Sequence, residues 1–170
     1  MLLKIKSLIK TFINNFIQSL FTLKKRLSWK EKHMPKLERK VDITASQEKI
    51  WQIIDDDDDY ARWNIVVNEV TKLGEGNYFF KTNVGDITST RIETNAPESL
   101  AATQEGSPMT SLGYILKPKG DVVEATIWTE FDDANQETVL GIAGEMLLKS
   151  LKKYAEHLES GGNPEEFNKK

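Results

Sequence analysis

Apolar and polar residues follow two different periods along this chain, and the change falls near Pro35. From Ile5 to Leu23 the apolar residues recur at helical spacing, with lysine and amide side chains between them. This spacing predicts an amphipathic helix of about 20 to 25 residues, because it places the apolar residues on one helical face. The polar positions recur too often for a membrane span, so we expect the helix to lie on a surface.

Beyond Pro35, apolar and polar residues alternate, which is typical of strands. Residues 37–43 form the first predicted strand, and two short helices follow, over 50–54 and 60–64. Six further strands are predicted between short turns: Asn68–Leu73, Tyr78–Val84, Ile87–Asn95, Ser99–Glu105, Ser111–Lys117 and Val122–Phe131. The turns contain glycine, proline, asparagine or aspartate and suit hairpins, so neighbouring strands are expected to pair antiparallel.

A long helix is predicted from Asn135 to Glu159, where apolar residues again recur at helical spacing. Gly161 and Gly162 end this helix, and the tail 161–170 is predicted to be disordered. The sequence therefore predicts a basic amphipathic helix with its linker at 1–34, one domain at 35–160 and a disordered tail.

The composition indicates a globular domain and excludes several kinds of functional site. Apolar residues make up 39% of the 170 residues and charged residues 29%, which suits one domain with an appendage. There is no cysteine, which excludes disulfides, thiolate metal sites and thiol nucleophiles. His33 and His157 lie at opposite ends of the chain, so no metal site and no cofactor are predicted.

The charge is divided unevenly along the chain. Residues 1–40 carry a net charge of +9 and the remainder −12, within a total of −3. A basic arm is typical of contact with an anionic surface, whereas the acidic body excludes nucleic acid as a partner. We expect residues 1–32 to contact a membrane surface, which makes the protein cytoplasmic and peripheral at the inner face of a membrane. Two alternatives stay open: the helix packs on this domain or a second copy, or it is a presequence that is removed.

The order of strand, two short helices, six strands and long helix resembles the helix-grip fold of the START-like, or SRPBCC, superfamily. The family pattern has a strand, an apolar–Trp pair, an acid, a Tyr and a Trp-Asn pair, and Val41 to Asn64 read VDITASQEKIWQIIDDDDDYARWN. The proline that usually follows Trp-Asn is replaced by Ile65. The resemblance implies an α+β fold in which a curved antiparallel seven-stranded sheet surrounds the C-terminal helix. It also implies similarity to polyketide cyclases and lipid-transfer proteins.

The resemblance further implies a cavity between the sheet and the final helix, which holds a hydrophobic small molecule or lipid. The residues expected to bind this ligand are Trp63, Tyr60, Phe80, Thr82, Arg91, Tyr114, Ile127, Leu140, Ala143, Met146 and Leu147, and Val123, Ala125, Phe131 and Leu151 are expected to add to the wall. Trp63 is expected at the cavity entrance, whereas Trp51 is assigned to the core. Arg91 either orients a polar head in the cavity or forms an exposed cross-strand pair with Glu93, and the exposed pair is favoured.

The acidic run Asp55–Asp59 is the most unusual local feature of the sequence. Carboxylates bind hard cations such as calcium, but the run lacks the spacing of a calcium loop, so a solvated turn is favoured. The sequence has no histidine pair, nucleophile elbow or phosphate loop, so no catalytic residue is predicted. The predicted function is ligand binding. The alternatives are a protein-interaction module of the same fold and a polyketide cyclase-like enzyme that acts through the shape of its pocket. The oligomeric state is not predicted.

The membrane interpretation predicts that two versions of the chain behave differently with vesicles. The full chain should float with vesicles that contain anionic lipid, because the apolar face and the basic flank both favour that surface. A chain that starts at Met34 should remain at the bottom of the gradient. Equal behaviour of the two chains would contradict the interpretation.

Overall fold

The computed structural model describes Gln18 and residues 34–169. The chain divides into two compact units, residues 1–34 and residues 35–170. The predicted amphipathic helix and its basic flank lie outside the described residues, apart from Gln18, which is helical and exposed. In the described part of the chain, no helix is both long enough and apolar enough to cross a bilayer.

Seven strands form one antiparallel sheet. Their bounds are β1 Lys36–Ile43, β2 Val67–Gly74, β3 Asn77–Thr82, β4 Ile87–Asn95, β5 Ser99–Glu105, β6 Met109–Lys119 and β7 Val122–Phe131. The strand order β1-β7-β6-β5-β4-β3-β2 sets each strand after β1 beside its neighbour in the chain and brings β1 next to β7. The sheet therefore has the antiparallel arrangement that the short turns predicted.

Two short helices connect β1 to β2, and a long helix follows β7. These helices are α1 Gln47–Asp55, α2 Tyr60–Trp63 and α3 Glu137–Glu159, with a 3₁₀ turn at Ala134–Gln136 directly before α3. The Asp133 side chain caps this turn by accepting a hydrogen bond from the backbone N–H of Asn135. The predicted α+β helix-grip fold, a curved sheet with a long C-terminal helix, is confirmed.

The C-terminal half of α3 packs into the main core. Leu151 and Tyr154 of α3 belong to the same buried apolar cluster as Ile50 of α1. The Ser150 hydroxyl donates a hydrogen bond of 2.5 Å to the Trp63 carbonyl oxygen, which joins α3 to the end of α2. Each fully buried leucine stabilises the fold by roughly 1.5–3 kcal/mol, so this half of the helix is firmly held.

The end of the chain folds back onto the domain. Residues Pro164–Glu166 form a 3₁₀ turn, and the ring of Phe167 lies 4.8 Å from that of Tyr154. The Lys169 ammonium group donates hydrogen bonds to the carbonyl oxygens of Ala61 at 2.6 Å and of Val67 at 2.8 Å. The structure therefore differs from the expected disordered tail at residues 163–169, because Phe167 and Lys169 have an aromatic ring and backbone acceptors near α2 within their reach.

Gly113 of β6 lies against the indole ring of its partner residue on β7, Trp128. A Cβ atom at position 113 would come within 2.5 Å of two atoms of that ring, which is closer than real contacts allow. Glycine at this position therefore lets a large ring approach the neighbouring strand closely.

Replacement of Gly113 by alanine should destabilise the domain by about 1–3 kcal/mol, because the Trp128 ring would have to shift. Gly74→Ala is the matched control, since a Cβ atom there would meet nothing within 4 Å. Urea unfolding measures both changes. Equal stability of the two variants would contradict the proposed role of Gly113.

Candidate functional site

A cavity of about 290 Å³ lies between the sheet and the N-terminal half of α3. Small-molecule pockets occupy roughly 300–1,000 Å³, so this cavity is at the small end of that range. Most of the side chains around it are apolar. They include Phe80, Leu100, Ala102, Leu112 and Ile127 from the sheet and Leu140, Ala143 and Leu147 from α3.

The cavity opens to solvent beside the start of α3. Val84 in the β3–β4 turn and Val139 on α3 both line the cavity, and they are 76% and 62% exposed. Pro108 in the β5–β6 turn also lines the cavity and is exposed. We define these three residues as the cavity mouth. An apolar ligand that enters here would meet apolar side chains before it reaches the interior.

Two tyrosines bring hydrogen-bonding groups into the interior. The hydroxyl oxygens of Tyr60 and Tyr114 are 2.9 Å apart, and both side chains are buried and line the cavity. Burial raises the pKa of Tyr60 to about 12 and raises that of Tyr114 well above its usual value, so both remain protonated at neutral pH. The bond between them uses one hydroxyl hydrogen, and the second is available to another acceptor.

Arg91 of β4 connects the cavity to the loop between α1 and α2. Its two terminal nitrogens donate to the carboxylates of Asp55 and Asp57, and its side chain is 16% exposed. Arg91 and Asp57 both line the cavity. The expected exposed pair with Glu93 is wrong, because a register irregularity falls between residues 91 and 93 and Arg91 turns to the acidic loop. This ion pair fastens the α1–α2 loop to the sheet.

This environment shifts the pKa of the Asp57 carboxyl group. Its pKa is raised to about 6, mainly because burial disfavours the charged form, and the neighbouring aspartates act in the same direction. The positive charge of Arg91 acts in the opposite direction and is outweighed. Asp57 is therefore ionised at neutral pH but close to protonation.

The rest of the acidic run makes local hydrogen bonds. An Asp56 carboxylate oxygen accepts from the backbone N–H of Asp59, and Asp59 accepts from Arg62 at 2.6 Å and from the Tyr154 hydroxyl at 3.0 Å. Within residues 34–169, no three acidic or histidine side chains converge as a metal site would require. The run is thus a hydrogen-bonded turn rather than a freely solvated one.

The structure brings most of the predicted ligand-binding residues to one cavity. Those that line it are Tyr60, Phe80, Thr82, Arg91, Tyr114, Ile127, Leu140, Ala143 and Leu147. Four residues expected in the wall, Val123, Ala125, Phe131 and Leu151, are buried in the core instead. The cavity therefore extends along only part of the apolar face of α3. Toward the C-terminal end of the helix, core side chains pack against that face and leave no cavity.

Two predicted site residues lie away from the cavity. Trp63 is fully buried and packs edge-on against Tyr60 at 4.8 Å, and its Nε1 has no hydrogen-bond acceptor among the described residues. The expected position of Trp63 at the cavity entrance is wrong, because Tyr60 lies on the cavity side of α2 and Trp63 lies in the core. Trp51 lies in the core as expected. Met146 is 51% exposed, since the inward face of α3 contains its neighbour Leu147.

The cavity also has polar residues that were not predicted, and these are Arg39, Asp57, Asn64, Ser89, Gln104, Ser107 and Thr129. Gln104 donates a hydrogen bond of 2.9 Å to the Ser89 hydroxyl, its partner in strand register. Strand alternation could have indicated Ser89, because residues two apart lie on the same strand face and Arg91 was already a predicted site residue. No sequence signal selected Asp57 from its acidic neighbours.

A curved antiparallel sheet around a long helix, with an apolar cavity between them, defines a helix-grip domain. The family model described as polyketide cyclase/dehydrase and lipid transport matches residues 34–160. The chain belongs to this family.

Solved structures share the fold at low sequence identity. A START superfamily protein from Mycobacterium smegmatis is 14% identical, with a TM-score of 0.61 over 76% of this chain and 99% of that one. The Zhui aromatase/cyclase from a Streptomyces species is 18% identical, with a TM-score of 0.61 over 77% of this chain and 100% of that one. The Aha1 dimer from Colwellia psychrerythraea is 17% identical, with a TM-score of 0.62 over 72% of this chain and 97% of that one. No curated protein has a significantly similar sequence.

The raised pKa of Asp57 makes stability depend on pH. Between the ordinary value of 3.8 and about 6, the folded chain binds more protons at this residue than the unfolded chain does. The stability that Asp57 contributes therefore falls as the pH rises through this range.

Asp57→Asn removes this dependence. The unfolding free energy of the wild type minus that of the variant should decrease by about 2 kcal/mol from pH 4 to pH 7. Urea unfolding at the two pH values tests this, with Asp58→Asn as the exposed control. A difference that stays constant or increases would contradict the burial of Asp57.

Proposed function

We propose that this domain binds an apolar small molecule or a lipid in the cavity between the sheet and α3, without transforming it. The observation that carries the proposal is the apolar cavity of about 290 Å³, open at the mouth. An empty space inside a domain costs stability, so its retention between well-packed elements favours an occupant. The family description, which includes lipid transport, supports the same function.

The cavity volume limits the size of the ligand. A dry apolar cavity of about 150 Å³ holds one benzene molecule, so about twice that volume holds an apolar group about twice as large. Two fused rings or one alkyl chain of medium length meet this limit. A lipid with two long chains would leave much of its apolar surface outside the mouth.

A second candidate is a cyclase-like enzyme, and one observation favours it. Asp57 lines the cavity with a pKa of about 6, and a carboxylate that titrates near neutral pH is suited to accept a proton from a substrate. In that function the Tyr60–Tyr114 pair would donate a hydrogen bond to a developing oxyanion. Binding without chemistry is the first proposal because Asp57 already pairs with Arg91.

The proposal includes a membrane contact through residues 1–32. Its support is the amphipathic pattern of that segment and the net charge of +9 on residues 1–40. On this proposal the segment holds the domain at the cytoplasmic face of a membrane, close to a supply of apolar ligand.

Native mass spectrometry of the full chain purified from cells tests whether the cavity is occupied. Binding predicts a copurified molecule that is released on unfolding. A protein recovered without ligand but with one stoichiometric partner chain would instead favour the alternative of a protein-interaction module.

Ala143→Phe should block binding, because Ala143 lines the cavity and the larger ring would fill it. The fluorescence of N-phenylnaphthylamine, an uncharged apolar dye, measures the affinity, which should fall about tenfold or more, or about 1.4 kcal/mol. Ile142→Phe is the matched control, since Ile142 is 55% exposed on the same helix. Unchanged dye affinity in Ala143→Phe, or equal loss in both variants, would contradict this cavity as the binding site.

A further inference from the structure

The charges around the cavity do not cancel. Among the residues that the structure describes, the charged side chains that line it are Arg39, Asp57 and Arg91. Arg39 pairs with Glu145 at 2.8 Å, which leaves no net charge at that position. Arg91 pairs with both Asp55 and Asp57, so this cluster carries one net negative charge when both carboxylates are ionised.

The excess negative charge acts on the cavity interior. Asp57 lines the cavity and its side chain is only 13% exposed, so little water screens it. Its pKa of about 6 keeps it ionised at pH 7.5. Arg91 donates to one of its oxygens, Oδ2, and a carboxylate has further lone pairs that accept hydrogen bonds.

The tyrosine pair adds hydrogen bonding without charge. Tyr60 and Tyr114 stay neutral at this pH, so they do not offset the charge of the Arg91 cluster. A bound carboxylate would meet net repulsion from Asp57 and Asp55, and it would compete with both for Arg91. A hydroxyl or an ammonium group would instead donate a hydrogen bond to an acceptor that is already present.

We propose that the cavity selects an apolar ligand whose head group donates a hydrogen bond and carries no negative charge, an alcohol or an amine in preference to a carboxylate. This inference rests on the proposed function, because it names the class of ligand for the same cavity. The proposed selection concerns the head group of the ligand, while the apolar walls of the cavity determine the shape of the rest of the ligand.

Competition with N-phenylnaphthylamine on the full chain at pH 7.5 tests the inference. Decanol, decylamine and decanoate share one chain length and differ in the head group. Decanol and decylamine should each displace the dye at about tenfold lower concentration than decanoate. A decanoate that competes equally or better would overturn the inference and leave the proposed function intact. Failure of the dye and of all three compounds to bind would overturn the proposed function itself.

Asp57→Asn tests whether the charge of Asp57 causes the selection against a carboxylate head group. The variant cancels the net charge of the Arg91 cluster and retains an acceptor oxygen, so the ratio of decanoate to decanol affinity should rise about tenfold. Asp58→Asn makes the same charge change at an exposed position and should leave the ratio unchanged. An unchanged ratio in Asp57→Asn would overturn the inference. The ratio is read within one protein, so a uniform loss of affinity does not affect it.

Discussion

The two halves of α3 have different surroundings, and the cavity depends on this difference. Leu151 and Tyr154 in the C-terminal half are buried in the main core, whereas Leu140 and Ala143 in the N-terminal half face open space. Roughly 1.5–3 kcal/mol for each buried leucine at one end offsets the contacts that are missing at the other. The domain can therefore retain a cavity beside one half of a helix because the other half is densely packed.

One part of the cavity wall is built from charges, and their arrangement follows from burial. A charged group removed from water has to be paired, and Arg91 meets this requirement with the carboxylates of Asp55 at the end of α1 and Asp57 in the loop that follows. The ion pairs close the gap between that loop and β4. The Tyr60–Tyr114 pair completes a polar region among apolar walls. The same cavity thus offers apolar contact over most of its surface and directional hydrogen bonds at one place.

Local patterns in the sequence predicted the fold more fully than the site. Turn residues between the strands gave the bounds of β4 and β5 as the structure has them, because glycine, proline, asparagine and aspartate interrupt a strand locally. The family resemblance implied Ile127 and Phe80 as ligand-binding residues, and both line the cavity. The errors involve distant contacts: Arg91 reaches residues 55–57, and Lys169 reaches backbone near α2. Met146 was misplaced for a local reason, since a single helical step separates an inward position from an outward one.

The sharing of one guanidinium by two carboxylates has an evolutionary consequence. Loss of Arg91 alone would leave Asp55 and Asp57 next to each other with their charges uncompensated, which is costly for Asp57 in its buried position. Selection should therefore exchange the three positions together, whereas Asp58 is free to drift. Covariation among homologous chains at 55, 57 and 91 would then trace where the lineage changed its ligand.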